Sequence, residues 1–255
     1  MVDAIDYEAA VERIMVAARA AEPFAGTALA VHGIVTGARS AEQRRRLNQL
    51  DLLAPDGQPV RWAQNLLYKT HLTDRVYGPF LMKRVLERAA GEGVPVYFYG
   101  ASEETLANLV AKQQAALPGL RVAGAEEGQY RREQPGERDA LVARIKASGA
   151  RIVFVGLGVP RQETFVHTLR DDIGVPLLAV GAAFDYHAGK FDFPPPWVQR
   201  RGLEWAWRFA AEPRRLWKRY VLYNPLFLWL LALQAVRLWR PSTEGAPVTG
   251  GPIDL

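Results

Sequence analysis

The sequence has no cysteine and only four histidines in 255 residues. Without cysteine, the chain can form neither disulfide bonds nor zinc sites built from thiolates. No two histidines stand at the H-x-x-x-H spacing of a helical zinc site. A convincing D-x-D motif is also missing, since Asp171-Asp172 falls at the end of a predicted helix and fits a solvated surface. We therefore predict no metal site.

Targeting and nucleotide motifs are scarce as well. The first residues, MVDAIDYEAAVERI, lack the basic stub and apolar run of a signal peptide, so we expect a cytoplasmic protein. Gly156-Leu157-Gly158 would need a third glycine at Arg161 to complete a dinucleotide fingerprint, and no P-loop lysine motif occurs. These absences argue against NAD-dependent enzymes and P-loop NTPases.

From about residue 26 to residue 182, short apolar runs alternate with helical patterns. Runs such as IVFVGLG and VPVYFYG are apolar on both faces, as in a parallel sheet covered by helices on both sides. The predicted strands are 26–32, 51–54, 94–99, 120–124, 151–156 and 177–181. The predicted helices are 78–90, 103–117, 137–148 and 162–170. This alternation predicts an α/β fold, a Rossmann-like sandwich with a mostly parallel sheet.

The composition changes near residue 190, and we predict three parts: an α/β domain (1–193), a basic, Trp-rich helical appendage (194–240) and a disordered tail (241–255). FDFPPPWVQ contains three consecutive prolines and is typical of a linker. From residue 199 to 240, basic residues outnumber acidic ones, and five of the seven tryptophans lie there. This combination favours an anionic membrane surface or a phosphate-rich ligand, with nucleic acid as the rival.

The appendage also contains an apolar stretch at 220–236 that is about the minimum length for crossing a bilayer. Asn224, Pro225 and Gln234 interrupt it, which is costly at bilayer depth but harmless at the interface. We interpret it as an amphipathic helix on the membrane surface, with a true span as the alternative. In this interpretation residues 208–219 complete a site, and residues 220–240 hold the chain on the membrane.

Candidate ligand-binding residues lie where the predicted strands end, because open α/β sheets bind ligands at the carboxyl ends of their strands. Asp56 follows a strand directly, although Pro-Asp-Gly is also a common turn sequence. The segment 156–163 leaves the strongest strand and opens a helix, which suits a phosphate group or simple strand–helix packing. The segments that follow three other predicted strands contain Gly100, the aromatic ring of Tyr130 and the carboxylate of Asp185.

These segments, taken together and in their order along the chain, resemble a known family more clearly than any one of them does alone. The matching blocks, in chain order, are PDG at 55–57, RVYG at 75–78, GLGVPRQE at 156–163, FDYHAGK at 184–190, and GLEW at 202–205 followed by Arg208 and EPRR at 212–215. In this order and spacing, the sequence resembles the WecG/TagA/CpsF family of bacterial glycosyltransferases over about residues 26 to 231.

The resemblance implies an inverting, metal-independent transfer from a UDP-sugar to a polyprenyl-diphosphate-linked acceptor at the inner face of the cell membrane, without a cofactor. It assigns Asp56 as general base. The positions matching the donor pocket are Tyr130, Gln162 and Asp185, and Arg75 and Gly158 belong to the matching blocks. With Gly100, which follows a predicted strand, these are the predicted substrate-binding residues of the α/β part. The appendage arginines that would close over the diphosphate are Arg208, Arg214, Arg215 and Arg219, of which we rank Arg208 and Arg215 as catalytic. Guanidinium groups suit this task because they bind phosphate oxygens bidentately.

The sequence departs from the family pattern at two places, where Phe80 replaces an aspartate and Ala30-Val31-His32-Gly33 replaces a polar segment. The donor sugar is therefore left open between an N-acetylhexosamine, a plain hexose and a uronic acid. His32 fits either the site or the core. A homo-oligomer is left open, and nucleic acid is not expected as a partner. The alternative functions are a non-catalytic membrane- or nucleic-acid-binding module and another nucleotide-dependent enzyme of Rossmann-like fold.

Overall fold

Six strands form one sheet in which every pairing is parallel. The computed structural model describes residues 2–129, 131 and 134–240, without the side chains of residues 218 and 219. The strands are β1 Phe24–Leu29, β2 Leu52–Pro55, β3 Val96–Gly100, β4 Val122–Glu126, β5 Ile152–Gly156 and β6 Pro176–Ala179, in the spatial order β2-β1-β6-β5-β3-β4. The predicted Rossmann-like fold is confirmed. The tail predicted to be disordered, 241–255, lies outside the described residues.

Twelve helices connect and extend these strands within the described residues. Those in the α/β part are α1 Tyr7–Ala20, α2 Val31–Arg39, α3 Ala41–Asn48, α4 Gln58–Tyr68, α5 Gly78–Glu92, α6 Glu103–Ala116, α7 Glu137–Ala147, α8 Arg161–Ile173 and α9 Ala183–His187. The C-terminal ones are α10 Pro196–Arg200, α11 Glu204–Ala211 and α12 Pro213–Ala235. Pro196 is the first residue of α10, a position that needs no backbone N–H.

The helices cover both faces of the sheet. On one face α6 packs through Leu109 against Phe98 and Phe154 in a core shared with α1 and α5. On the other face α8 packs through Phe165 against Tyr99 in a core shared with α7. The chain therefore leaves the neighbouring strands β3 and β5 towards opposite faces. This divergence opens a crevice at their carboxyl ends, where doubly wound sheets bind nucleotides.

The long helix α12 packs on the α/β part rather than standing apart from it. Phe227 lies in a small core with Val35 of α2 and with Val60 and Ala63 of α4. Within the described part of the chain, no helix is both long enough and apolar enough to cross a membrane.

The first strand is shorter than the sequence predicts, because β1 ends at Leu29 and His32 lies in α2. The apolar run continues across this boundary, so composition alone does not reveal it. Gly33 and Gly37 lower the helix propensity of α2. Both are needed for packing, since a Cβ on Gly33 would collide with Leu29 and one on Gly37 would lie 2.8 Å from the Leu47 side chain.

Candidate active site

Asp56 lies directly after β2, in the short loop that leads into α4. The backbone N–H of Gly78, the first residue of α5, donates a hydrogen bond to its carboxylate. Burial raises the pKa of Asp56 to about 6, and the positive charges of Arg208 and Arg75 and the Gly78 hydrogen bond oppose that rise. A carboxyl group with this pKa is ionised at neutral pH and can still accept a proton, as a general base must.

A cavity of about 360 Å³ opens beside Asp56, between the sheet and the C-terminal helices. The α/β part contributes His32, Asp56, Trp62, Arg75 and Tyr77. The C-terminal helices contribute Glu204, Trp205, Arg208, Tyr220, Tyr223, Phe227 and Leu231. One end of the cavity is therefore charged, and the wall formed by α12 is mainly aromatic and apolar.

Arg75 holds the two sides of this cavity together. Its side chain is 6% exposed and pairs with Asp74 at 2.6 Å and with Glu204, the first residue of α11. It also donates to the carbonyl oxygen of Gln199 at 3.4 Å. Two blocks that are far apart in the sequence, RVYG and GLEW, thus meet through one buried ion pair. Glu204 belongs to the GLEW block, but the sequence alone predicts no role for it.

Of the appendage arginines, the structure brings Arg208 to the cavity beside Asp56. Arg208 Nε lies 3.9 Å from Glu212 Oε2, near the junction of α11 and α12. Arg214 and Arg215 lie on the exposed first turn of α12, and Arg215 is paired with Glu212 at 2.5 Å. Neither lines the cavity. The side chain of Arg219 lies outside the described residues.

A second group of predicted residues meets at the crevice between β3 and β5. Gly100 has a φ of +118°, and a Cβ there would lie 2.7 Å from the backbone of Gly156. Gly128 approaches the same point, since its Cβ would lie 2.9 Å from the Gly100 Cα. Gly158 has a φ of +79° and open space around it. Gly100 and Gly128 therefore allow the segments after β3 and β4 to pack closely at the end of β5, and Gly158 leaves open space in which a ligand can approach the backbone.

Gln162 is buried, and its amide is used to shape this loop. Its Oε1 accepts from the Gly158 N–H at 3.2 Å, and its Nε2 donates to Glu163 Oε1 at 2.8 Å. The same carboxylate accepts from the Thr27 hydroxyl at 3.3 Å, and burial raises the pKa of Glu163. In this arrangement the Gln162 amide holds the Gly158 backbone in place at the crevice.

Asp185 lies in the first turn of α9, at the exit of β6, 3.4 Å from Lys190 Nζ. Its neighbour Tyr186 packs edge-to-face on Tyr77 at 6.2 Å between ring centroids, and Tyr77 lines the cavity of Asp56. The exit of β6 thus lies between the two groups of residues. Tyr130, predicted for the donor pocket, lies outside the described residues.

His32 also lines the cavity, where its ring packs edge-to-face on Tyr223 of α12 at 4.8 Å. Several other cavity residues carry no signal in the sequence. Trp62, Tyr220 and Tyr223 look like ordinary amphipathic-helix residues, and only the packing of α4 against α12 shows that they meet. Among the residues the structure describes, no three His, Asp or Glu side chains are grouped so as to hold a metal ion.

A comparison with known protein families identifies the family of the chain. Residues 1–241 match a family model whose description is "Glycosyl transferase WecG/TagA/CpsF family". The chain belongs to this family. It is therefore a glycosyltransferase of cell-surface polysaccharide synthesis, and the cavity of Asp56 together with the β3–β5 crevice is its candidate active site.

Proposed function

We propose that this glycosyltransferase moves a sugar from a UDP-sugar to a polyprenyl-diphosphate-linked acceptor, with inversion at the anomeric carbon and without a metal ion. The observation that carries the proposal is the meeting of one carboxylate, Asp56, with two arginines, Arg75 and Arg208, in a cavity that has an apolar wall. The carboxylate matches the acceptor hydroxyl, Arg208 matches a diphosphate, Arg75 supports the cavity wall, and the apolar wall matches a lipid carrier.

The reaction proposed for the site is a single displacement. The Asp56 carboxylate removes the proton from the acceptor hydroxyl while the oxygen of that hydroxyl attacks the anomeric carbon of the donor. The bond from that carbon to the diphosphate oxygen breaks, and UDP leaves with the electron pair. One base and one displacement give inversion, and the product carries the new glycosidic bond. Positioned general bases contribute about 10²–10⁴ to such rates.

Negative charge builds on the leaving diphosphate, and arginine is proposed to neutralise it. Arg208 is the appendage arginine that lies at the cavity, so it receives this role first. The proposed roles of Arg214 and Arg215 require α12 to shift when substrate binds, because neither residue lines the cavity. Arg75 is already held by Asp74 and Glu204, which suits a positioning role at the cavity wall.

The nucleotide is proposed to bind in the β3–β5 crevice, beside Gly100 and Gly158. The strands β2 and β5 are three places apart in the sheet, which corresponds to roughly 14 Å at the usual strand spacing. An extended nucleotide diphosphate-sugar is long enough to run from the crevice past Asp185 towards Asp56. The donor sugar would then lie near Phe80 and His32, where this sequence departs from the family.

The enzyme is also proposed to work as a peripheral protein at the cytoplasmic face of the membrane. Large apolar side chains stand exposed on α12 and α4, among them Trp229 (60%), Trp217 (47%) and Trp62 (57%). The exposed Arg214 and Arg215 lie on the same helix as the first two. Aromatic and basic residues together favour an anionic lipid surface.

The direct test is a screen of UDP-sugars for turnover on a synthetic polyprenyl-diphosphate glycan in the presence of excess EDTA. Product with an inverted anomeric centre is expected from at least one donor. Activity that disappears with EDTA and returns with Mg²⁺ or Mn²⁺ would overturn the arginine-based mechanism. Binding of the glycan with no turnover of any donor would favour a non-catalytic module.

A further inference from the structure

A second cavity, of about 460 Å³, lies on the other side of the contact between α12 and the helices α2 and α4. Its walls are largely apolar, with Val35, Ala38, Ala63, Leu67, Leu230 and Trp239 among them. Arg44 carries the only charge among the described residues that line it. A cavity of this size and polarity is suited to a hydrocarbon ligand rather than to a nucleotide or a sugar.

The two cavities meet at α12. Phe227 and Leu231 line both of them, and Val60 and Ala63 pack on Phe227 from α4. The charged cavity with Asp56 and Arg208 and the apolar groove therefore lie end to end along α12, with the buried Phe227 side chain between them. A ligand with a charged head and a long apolar tail would fit the two cavities in one direction only, with its tail passing Phe227.

The groove meets solvent at Tyr68, which is 65% exposed and whose hydroxyl accepts a hydrogen bond from Gln234 of α12 at 3.0 Å. The next residue, Lys69, is also exposed. A lipid chain entering here would pass over the aromatic ring of Tyr68 into the groove.

We infer that the groove lined by α2, α4 and α12 binds the polyprenyl chain of the acceptor, so that the acceptor's diphosphate and sugar lie towards the cavity of Asp56. This inference rests on the proposed function for the identity of the acceptor. It gives α12 a second task besides contact with the membrane, since one face of the helix cradles the lipid and the other faces the bilayer. Burial of several methylene groups makes the affinity for the acceptor depend on chain length.

Photo-crosslinking with a benzophenone-tagged farnesyl diphosphate tests the groove without requiring sugar transfer. Crosslinks to residues 34–38 of α2 and 63–68 of α4 are expected, because these parts of the two helices line the groove, whereas residues 31, 32, 58, 59 and 62 line the cavity of Asp56. Crosslinks confined to the exposed face of α12, around Trp229, or no specific crosslinks at all, would overturn the inference. If the protein is crosslinked in the groove but turns over no UDP-sugar, the groove is still a lipid-binding site, and the proposed function is overturned instead.

Two substitutions that fill the groove sharpen this test. Ala63→Phe is expected to lower the yield of groove crosslinks about tenfold and to abolish the gain in affinity from farnesyl to longer prenyl diphosphates. Ala38→Met adds less volume and gives a smaller loss, which covers the case in which Ala63→Phe does not fold by circular dichroism. Ala232→Phe, at an exposed position of α12 outside the groove, is the matched control and should leave the crosslinks unchanged.

The other candidate occupant is the chain's own segment 241–255. A protein ending at Arg240 distinguishes the two cases. Unchanged labelling after this truncation is expected for a lipid site. A rise of about tenfold would show that the segment occupies the groove and would overturn the lipid assignment.

Discussion

Arg75 and Glu204 form an ion pair that joins the α/β sandwich to the C-terminal helices, and less than a tenth of either side chain is exposed. The pair lies at the wall of the cavity that contains Asp56. It links the segment before α5 to α11, the helix that carries Arg208. The proposed catalytic arrangement therefore depends on a contact that neither part of the chain could form alone.

Glu204→Gln should lower the free energy of unfolding by roughly 2–4 kcal/mol, because it leaves the buried Arg75 with only Asp74 as a carboxylate partner. Urea unfolding followed by circular dichroism measures the loss. Glu8→Gln, which breaks the exposed pair between Glu8 and Arg84, is the control and should cost less than about 1 kcal/mol. Equal losses in the two variants would contradict the anchoring role of Glu204.

The raised pKa of Asp56 makes both activity and stability depend on pH. Activity with saturating donor should rise about tenfold per pH unit up to pH 6 and then level off, because the base must be ionised. Between its usual pKa of 3.8 and about 6, the folded protein holds a proton that the unfolded chain has released. The free energy of unfolding therefore falls as the pH rises through this window.

The difference between wild type and Asp56→Asn isolates this effect, because Glu163 also has a raised pKa and titrates in both proteins. The variant should gain stability relative to wild type as the pH rises from 4 to 6 and keep that gain at pH 7. Denaturant unfolding at pH 4, 5, 6 and 7 measures it. A difference that does not change with pH would mean that the pKa of Asp56 is close to its usual value.

Gly100→Ala should destabilise the protein and abolish binding of UDP, since a Cβ there would lie 2.7 Å from the Gly156 backbone and the φ is +118°. Gly158→Ala has room for its Cβ and should cost only about 1–2 kcal/mol for its left-handed backbone. Gly91→Ala, in the open on α5, should stabilise slightly. Thermal melts with and without UDP measure all three, and a Gly100→Ala protein that binds UDP normally would argue against the crevice.

Membrane contact is testable on the exposed face of α12. The double variant Trp217→Ser and Trp229→Ser should lose at least about tenfold in binding to vesicles that contain anionic lipid, while keeping its activity on a short-chain, water-soluble acceptor. Val16→Ser, an equally exposed site on α1, is the control and should bind as wild type does. Unchanged vesicle binding of the double variant would place the membrane-facing surface elsewhere.

The sheet was predictable because its signal is local. IVFVGLG and VPVYFYG are apolar at every position, as strands buried on both faces require, and they became β5 and β3. The helices α2 and α4 were not predicted. The helix α2 contains Gly33 and Gly37, which its packing requires but which lower its helix propensity. The helix α4 begins directly after Pro-Asp-Gly, a sequence that is typical of a turn.

The candidate site was predictable only in part, because some of its residues follow a local pattern and others meet only through contacts between distant segments. Asp56 could be placed from the end of its strand, since the exits of parallel strands share one edge. The Arg75–Glu204 pair and the packing of Phe227 on α2 and α4 join segments more than a hundred residues apart, and no local pattern reports such contacts. Residues 208–219 and 220–240 were also predicted to have separate tasks, whereas Tyr220, Tyr223 and Phe227 line the same cavity as Arg208.

The central claim, that Asp56 is the base in transfer to the acceptor hydroxyl, is tested most directly by single-turnover kinetics of Asp56→Asn together with UDP binding by calorimetry. Because the amide cannot accept the proton but keeps the shape of the side chain, the rate should fall about 10²–10⁴-fold while the affinity for UDP stays within about twofold of wild type. A variant that binds UDP normally and transfers sugar at nearly the wild-type rate would contradict the account and leave Asp56 as a turn residue.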